Sequence, residues 1–140
     1  MKRDKLRRVV FDTNVLISAA ILPNSVSRRA LLYAIDHYQL VQSPETFSEL
    51  SEVINRKKFD RYLPNPMRSE FLLLIGRISE FIKLTQTISD CTDPKDNKFL
   101  ELAVESTARV IVSGDNDLLI LHPYRKIAIE SPSSFLQRPQ

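Results

Sequence analysis

The chain has 140 residues, of which 43% are hydrophobic and 26% charged, and its net charge is +3, which is typical of a globular domain and excludes a disordered protein. No apolar run reaches the roughly 20 residues of a membrane span, and no apolar signal sequence follows the basic N-terminus, so we expect a cytoplasmic protein. The single cysteine, Cys91, excludes an internal disulfide and a thiolate metal cluster. We expect residues 1–140 to form one domain, with residues 1–7 as a basic arm that is either a solvated tail or a phosphate contact.

The first predicted element is a buried strand that ends at a carboxylate. Residues Val9–Phe11 are apolar on consecutive positions, which favours a strand covered on both faces, as in a parallel sheet. Asp12 then falls at the carboxyl end of the strand, which is the edge where ligands bind in open α/β sheets. Thr13 and Asn14 can hold this carboxylate in one rotamer, although an ordinary Asx turn has the same residues.

The next elements are predicted from apolar spacing and from capping residues. Apolar residues at helical spacing predict an amphipathic helix over residues 28–38, and Leu40-Val41 predicts a second short strand. Ser43 followed by Pro44 predicts an N-cap with proline at the first helical position. A second helix is therefore predicted to begin directly after the second strand.

Three glutamates lie on this second predicted helix, and helical geometry separates them. At about 100° per residue, Glu49 lies at the margin of the apolar stripe, whereas Glu45 and Glu52 point towards solvent. Glu49 is therefore the glutamate that can reach a core-lined cleft, although a charge on the flank of a helix has the same position.

A basic cluster follows, and then a long apolar stripe. The cluster consists of Arg56, Lys57, Lys58 and Arg61, with aromatic residues between them, and either grips a phosphate backbone or is a solvated helix end. Apolar residues at helical spacing from Phe71 to Ile82 predict a helix that packs on the core, after a loop at Pro64–Pro66. Residues 83–88 predict a third strand.

Two further acidic segments precede and follow the fourth predicted strand. Asp93-Pro94-Lys95-Asp96 opens a helix, where Asp93 as an N-cap and Asp96 as a first-turn acid are sufficient to explain both residues. Residues 109–113 predict a strand that ends at Gly114-Asp115. Residues 127–129 predict the last strand and residues 133–136 a terminal turn of helix. Strands that alternate with helices predict a three-layer α/β/α sandwich with a central parallel sheet.

The acidic residues at strand ends and helix starts are predicted to meet at one edge of the sheet. These are Asp12, Glu49, Asp96 and Asp115. Two carboxylates about 4 Å apart repel by roughly 4 kcal/mol at an effective dielectric near 20, so such a cluster needs cations or protons. An all-oxygen set suits Mg²⁺ or Mn²⁺, and these ions serve mainly phosphoryl chemistry. His37 and His122 have no zinc or triad motif nearby, and we interpret both as structural.

Four segments together resemble the PIN-domain ribonucleases. The segments are Val10 to Leu16, Glu49-Leu50, Asp93 to Ala103 and Val112 to Leu119. The resemblance extends from Arg8 to Leu136 in the expected order, and with Arg56 to Phe59 it is greatest to the VapC-like toxins of prokaryotic toxin–antitoxin systems.

The resemblance implies a site, a cofactor and partners. Asp12, Glu49, Asp96 and Asp115 are expected to bind Mg²⁺ or Mn²⁺ and to cleave RNA, with support from Asn14 and Ser113 and with Asp93 or Asp117 assisting a neighbour. The implied partners are an RNA substrate, an antitoxin protein and a second copy of the chain. We expect such a homodimer to bury part of the Phe71–Phe81 helix.

Three other hypotheses fit the same residues. A haloacid-dehalogenase-like phosphatase also has a nucleophile after an apolar strand, but its first motif requires a second aspartate where this chain has Asn14. A non-catalytic interaction module would use the acids only as helix caps. An RNA-processing nuclease would share the chemistry without the toxin role.

Overall fold

A computed structural model of the chain describes residues 7–139, and the basic arm before Arg7 lies outside the described residues. Five strands form one sheet in the order β3-β2-β1-β4-β5, and every pair is parallel. The strands are β1 (Arg8–Phe11), β2 (Gln39–Gln42), β3 (Glu80–Phe81), β4 (Val110–Val112) and β5 (Ala128–Glu130). The predicted parallel sheet is confirmed.

Helices cover both faces of the sheet. They are α1 (Thr13–Ile21), α2 (Val26–His37), α3 (Pro44–Ile54), α4 (Asn65–Ile78), α5 (Asn97–Ser106), α6 (Asn116–Leu119) and α7 (Pro132–Leu136). Because side chains alternate along a strand, Val9 and Phe11 pack with α1 to α4 and α7, while Val10 packs with α5 and α6 on the opposite face. The three-layer α/β/α sandwich is therefore confirmed.

The strand order creates a switch point at the carboxyl ends of β1 and β4. The chain runs from β1 to β2 and β3 on one side, and then places β4 on the other side of β1. Crevices at such points bind ligands in open α/β sheets. Asp12 follows β1 and Ser113 follows β4, so both lie at this point.

Helix caps form where the sequence predicts them. Ser43 caps α3, because its hydroxyl accepts a hydrogen bond from the Thr46 amide and the Thr46 hydroxyl accepts one from the Ser43 amide. Pro44 occupies the first turn. Ser25 caps α2, which begins two residues earlier than predicted.

Two elements differ from the sequence prediction. Helix α1 was not predicted, because it is buried over most of its circumference and has no polar face to mark a helical period. The prediction of a third strand at residues 83–88 is wrong. Strand β3 consists of Glu80 and Phe81, and residues 83–88 form no strand.

The prediction that the Phe71–Ile82 stripe packs on the core is confirmed for Phe71, Ile75, Ile78 and Ile82 and is wrong for Leu74 and Phe81. Helix α4 ends at Ile78, and Ile75 is its fully buried apolar residue. Leu73 is 64% exposed, and Leu74 and Phe81 also remain exposed. Periodic spacing shows that a helix has an apolar face, but it does not show that the same chain covers that face.

The structural interpretation of the remaining residues is confirmed. Cys91 is a buried free thiol, His37 Nδ1 donates a hydrogen bond to the Tyr33 carbonyl, and His122 accepts a hydrogen bond from the Ile129 amide. Among the described helices, none combines the length and the apolarity that crossing a membrane requires.

Candidate functional site

Asp12 is a buried carboxylate held by two neighbouring groups. It is 4% exposed and caps α1, and its Oδ1 accepts a hydrogen bond from the Val15 amide at 2.9 Å. Its Oδ2 accepts a short hydrogen bond from the hydroxyl of Ser113. Burial raises the pKa of Asp12 to about 6. The two hydrogen bonds lower this pKa, and the negative charges of Asp115 and Glu49 raise it by a smaller amount. The cleft therefore carries a carboxylate whose charge is poorly solvated.

Ser113 connects the two strand ends. Its fully buried hydroxyl donates to Asp12 and accepts a hydrogen bond from the Asp115 amide at 2.9 Å. Asp115 in turn caps α6, because its Oδ1 accepts from the Asp117 amide at 2.9 Å. The sequence assigned a supporting role to Ser113, and the structure places it between the two acids. It also corrects one detail, since Ser113 and the Val15 amide, not Thr13 or Asn14, hold the Asp12 carboxylate.

Asp96 lies against Asp115 at the start of α5. The pKa of Asp96 is raised to about 7, mainly by burial. A hydrogen bond with Asp115 and the negative charges of Asp115, Asp93 and Asp12 raise it further. The Oδ2 atom of Asp96 is buried and has no hydrogen-bond partner among the described residues. A buried acceptor without a donor is costly, so this oxygen calls for a proton or a cation.

Glu49 reaches the cleft from α3, as its position at the margin of the apolar stripe predicts. Its Oε1 accepts a short hydrogen bond from the Thr13 hydroxyl, and its Oε2 accepts one from Lys98 Nζ at 2.8 Å. Lys98 also donates to the Lys95 carbonyl at 2.6 Å. Glu45 and Glu52 are exposed. Glu49 is thus paired with an internal cation.

The acids line one cleft of about 240 Å³ at the switch point. Its wall also contains Asn14, Asp93, Arg56 and Lys58, whereas Asp117, Lys57 and Arg61 do not line it. Asp93 accepts a hydrogen bond from the Lys95 amide. Arg56 is paired with Glu52 through two contacts of 2.9 Å.

The donor set fits a hard divalent cation. The cleft offers carboxylate oxygens from Asp12, Asp96 and Asp115, and Asp96 Oδ2 has no protein donor. Within residues 7–139, no three acidic, histidine or cysteine side chains already stand in the geometry of a metal site. The carboxylates of Asp12 and Glu49 accept hydrogen bonds from protein donors instead.

Sequence reasoning missed Lys98 and the partner of Thr13. A lysine in the first turn of α5 opposes the helix dipole, which is the one signal that would have singled it out. Thr13 was interpreted as a support for Asp12, but its hydroxyl bonds Glu49. That pairing depends on the distance between α1 and α3, which the sequence does not contain.

The fold and the cleft define a class, an α/β protein with a buried carboxylate cluster at the switch point of a parallel sheet. A comparison with protein families matches residues 8–117 to the PIN domain, and the chain belongs to this family. Membership implies nuclease activity, which is hydrolysis of nucleic-acid phosphodiester bonds.

Individual relatives agree with the family assignment. An uncharacterized protein of Methanocaldococcus jannaschii is 32% identical over 148 aligned residues, which cover 97% of this chain and 94% of that protein. The structure of VapBC2 from Rickettsia felis, bound to a DNA fragment from their promoter, matches with a TM-score of 0.60 and 13% identity over 89% of this chain and 98% of that one. The Pyrobaculum aerophilum protein PAE2754 matches with a TM-score of 0.60 and 12% identity over 94% and 89%. At such identities the two structures show a shared fold.

Proposed function

We propose that the chain is a metal-dependent endoribonuclease that acts as the toxin of a toxin–antitoxin pair in the cytoplasm. The observation that carries the proposal is the cluster of Asp12, Asp96 and Asp115 at the switch point, where the pKa of Asp12 is raised to about 6 and that of Asp96 to about 7. Keeping several neighbouring carboxylates ionised in a partly buried cleft costs free energy. Such an arrangement is typical of sites that bind a cation.

The cofactor in this proposal is Mg²⁺ or Mn²⁺, held by Asp12, Asp96 and Asp115 with Glu49 as a further ligand. A divalent ion, when bound, activates a water for attack and stabilises negative charge on phosphate. Ser113 orients Asp12 and the loop before Asp115 together, because a single hydroxyl bonds both. Asn14 and Asp93, which line the same cleft, support the site, while Asp117 supports Asp115 through its backbone.

RNA is proposed as the substrate because the cleft combines its acids with basic side chains. Arg56 and Lys58 line the wall, and Lys57 and Arg61 continue the basic surface along the chain. Cationic side chains beside an acidic cleft hold a phosphate backbone that the carboxylates would otherwise repel. Arg56 has to leave Glu52 for this contact, and the Arg56–Glu52 pair is exposed and therefore weak.

The proposed protein partners are a second copy of the chain and an antitoxin. Helix α4 leaves Met67, Leu73 and Leu74 exposed, and exposed apolar patches of this kind mark protein interfaces. The similarity to a VapBC assembly supports an antitoxin partner. The toxin role is tested by growth arrest on expression, since an RNA-processing enzyme with the same chemistry would not stop growth.

The enzyme is tested by cleavage of a labelled RNA pool in Mg²⁺, Mn²⁺ or EDTA. Asp12→Asn is the test variant, and Asp36→Asn is the matched control because Asp36 is an exposed aspartate on α2. We expect metal-dependent cleavage that is lost in Asp12→Asn and retained in Asp36→Asn. Cleavage that persists in Asp12→Asn would contradict the proposal.

A further inference from the structure

A second hollow adjoins the acidic cleft and shares Asn14 and Asp115 with it. Its volume is about 280 Å³. The residues that line it are Asn14, Val15, Ser18, Ser27, Gly114, Asp115 and Pro132. A substrate whose scissile phosphate lies at Asp12 and Asp115 therefore has this hollow as an immediate neighbour.

The lining of the hollow favours an uncharged ligand with hydroxyl groups. Asp115, on the boundary with the cleft, is its one charged residue; two hydroxyls from Ser18 and Ser27 and the amide of Asn14 provide the other polar groups. Val15 and Pro132 add apolar surface. The lining offers no cationic side chain to bind a phosphate, whereas a sugar can both donate to and accept from hydroxyls and an amide.

Gly114 carries the argument further, because the fold itself does not require a glycine at this position. Its φ lies outside the left-handed region, and a Cβ built on it meets no atom within 4 Å. A glycine without a conformational reason still costs stability, since it adds freedom to the unfolded chain. Because glycine has no side chain, a ligand can approach the backbone closely at such a position.

We propose that this hollow binds the nucleoside next to the scissile phosphate, with Ser18, Ser27 and Asn14 as hydrogen-bond partners of its ribose. The 2′-hydroxyl is the group by which proteins distinguish RNA from DNA, so the hollow supplies the preference for RNA. This inference rests on the proposed ribonuclease function and adds to it the subsite that selects the sugar.

The test compares Gly114→Ala and Gly114→Val with the wild-type protein. We expect both variants to fold, with a thermal midpoint unchanged or raised for Gly114→Ala, and with unchanged Mn²⁺ affinity by calorimetry. The kcat/KM for RNA should fall about tenfold for Gly114→Ala and further for Gly114→Val. Wild-type kcat/KM in Gly114→Val would overturn the inference.

The ribose contact is tested with RNA that carries a single 2′-deoxy nucleotide on either side of the cut. With the wild-type protein, kcat/KM should fall about tenfold when one of the two nucleotides is changed to its 2′-deoxy form. With the double variant Ser18→Ala/Ser27→Ala, the same change of substrate should have little effect, because the variant already lacks the interaction. Ser133→Ala, an exposed serine on α7, is the matched control and should behave as the wild type. Independent, additive losses would contradict the contact.

Binding measurements separate this inference from the proposed function. Fluorescence anisotropy with a labelled RNA oligonucleotide and the DNA of the same sequence, both in Ca²⁺, reports the subsite without any cleavage. We expect RNA to bind more tightly than DNA, and Gly114→Val to remove the difference. An RNA preference without any cleavage would contradict the ribonuclease but support the subsite, whereas cleavage with equal binding of RNA and DNA would contradict the subsite alone.

Discussion

The acidic cleft and the exposed face of α4 are opposite exceptions to the usual distribution of side chains. In the cleft, Asp12 and part of Asp96 are withdrawn from water although they are acids. On α4, Leu73 and Leu74 are left in water although they are apolar. Both arrangements cost free energy in the isolated chain, and both costs are removed by a ligand of the right chemistry.

The two regions differ in how the chain itself offsets the cost. In the cleft, Ser113 and the Val15 amide satisfy Asp12, and Lys98 neutralises Glu49, so the chain holds most of the acids in place. Next to α4, Phe47 of α3 packs against Phe81 of β3, but Leu73 and Leu74 on α4 itself have no cover within residues 7–139. We conclude that the chain itself satisfies most of the acids in the cleft, whereas the exposed apolar residues of α4 have no cover among the described residues.

The largest expected effect comes from removing a charge in the cleft. Asp12→Asn should lower RNA cleavage by at least about a thousandfold, since it removes a proposed metal ligand. The same variant should raise the thermal midpoint of the metal-free protein by a few degrees, because it relieves a buried, repelled carboxylate. Calorimetric unfolding in EDTA measures this, and a lower midpoint together with full cleavage would contradict the comparison.

The second prediction concerns pH. The folded-state pKa of Asp12 is raised to about 6 and that of Asp96 to about 7 from 3.8, so between about pH 4 and 7 the folded protein binds more protons than the unfolded chain. The metal-free protein should therefore lose this stability as pH rises through that window, while Mn²⁺ should bind more tightly.

The pH prediction is checked by thermal midpoints between about pH 5 and 7.5 in EDTA and in Mn²⁺. In EDTA, the increase in thermal midpoint caused by Asp12→Asn should grow with pH. The difference in midpoint between the wild-type protein and Asp12→Asn isolates the contribution of Asp12 from that of all other titrating groups. A gain that shrinks as pH rises would show that the carboxylate is not strained.

The third prediction tests the α4 face. Leu73→Glu should convert an oligomer into monomers and leave the fold and the Mn²⁺ affinity unchanged, because Leu73 is exposed and lies on a different element from the acids. Light scattering after size exclusion measures the mass. Ile120→Glu is the matched control, since Ile120 is 79% exposed and follows α6 instead of lying on α4. A wild-type mass in Leu73→Glu would show that α4 needs no second copy.

The smallest effect is expected at Lys98, where the cleft supplies its own cation. Lys98→Met should increase Mn²⁺ affinity by about tenfold, because the ammonium that competes for Glu49 at 2.8 Å is removed. Lys95→Met is the control, since Lys95 lines the same cleft and contacts Lys98 through its backbone carbonyl. Calorimetric titration measures both, and a loss of affinity in Lys98→Met would make Lys98 a support for the metal site.

The sequence predicted the sheet and the acids well because each depends on short patterns. Consecutive apolar residues identified β1, β2 and β4, and strand ends placed Asp12 and Asp115. Helical geometry chose Glu49 over Glu45 and Glu52, and both of these are exposed, although Glu52 also lines the cleft, beside its partner Arg56. These are local signals, since they need only the chain direction and the period of an element.

What the sequence did not predict depends on contacts between distant elements. Lys98 reaches Glu49 across the space between α5 and α3, and no spacing rule contains that distance. The apolar residues of α4 have the period of a core helix, but Leu73 and Leu74 remain exposed among the described residues while Ile75 is buried. The hollow at Gly114 became visible only when α1, α2 and the strand ends were placed together.

The most direct test of the central claim is a calorimetric titration with Mn²⁺ of the wild-type protein and of Asp12→Asn, Asp96→Asn and Asp115→Asn. If the three carboxylates form one cation site, each substitution lowers the affinity at least about tenfold, and Asp36→Asn changes nothing. Wild-type Mn²⁺ affinity in Asp96→Asn would contradict the claim, because the buried oxygen of Asp96 that has no hydrogen-bond partner would then have no role in holding the ion.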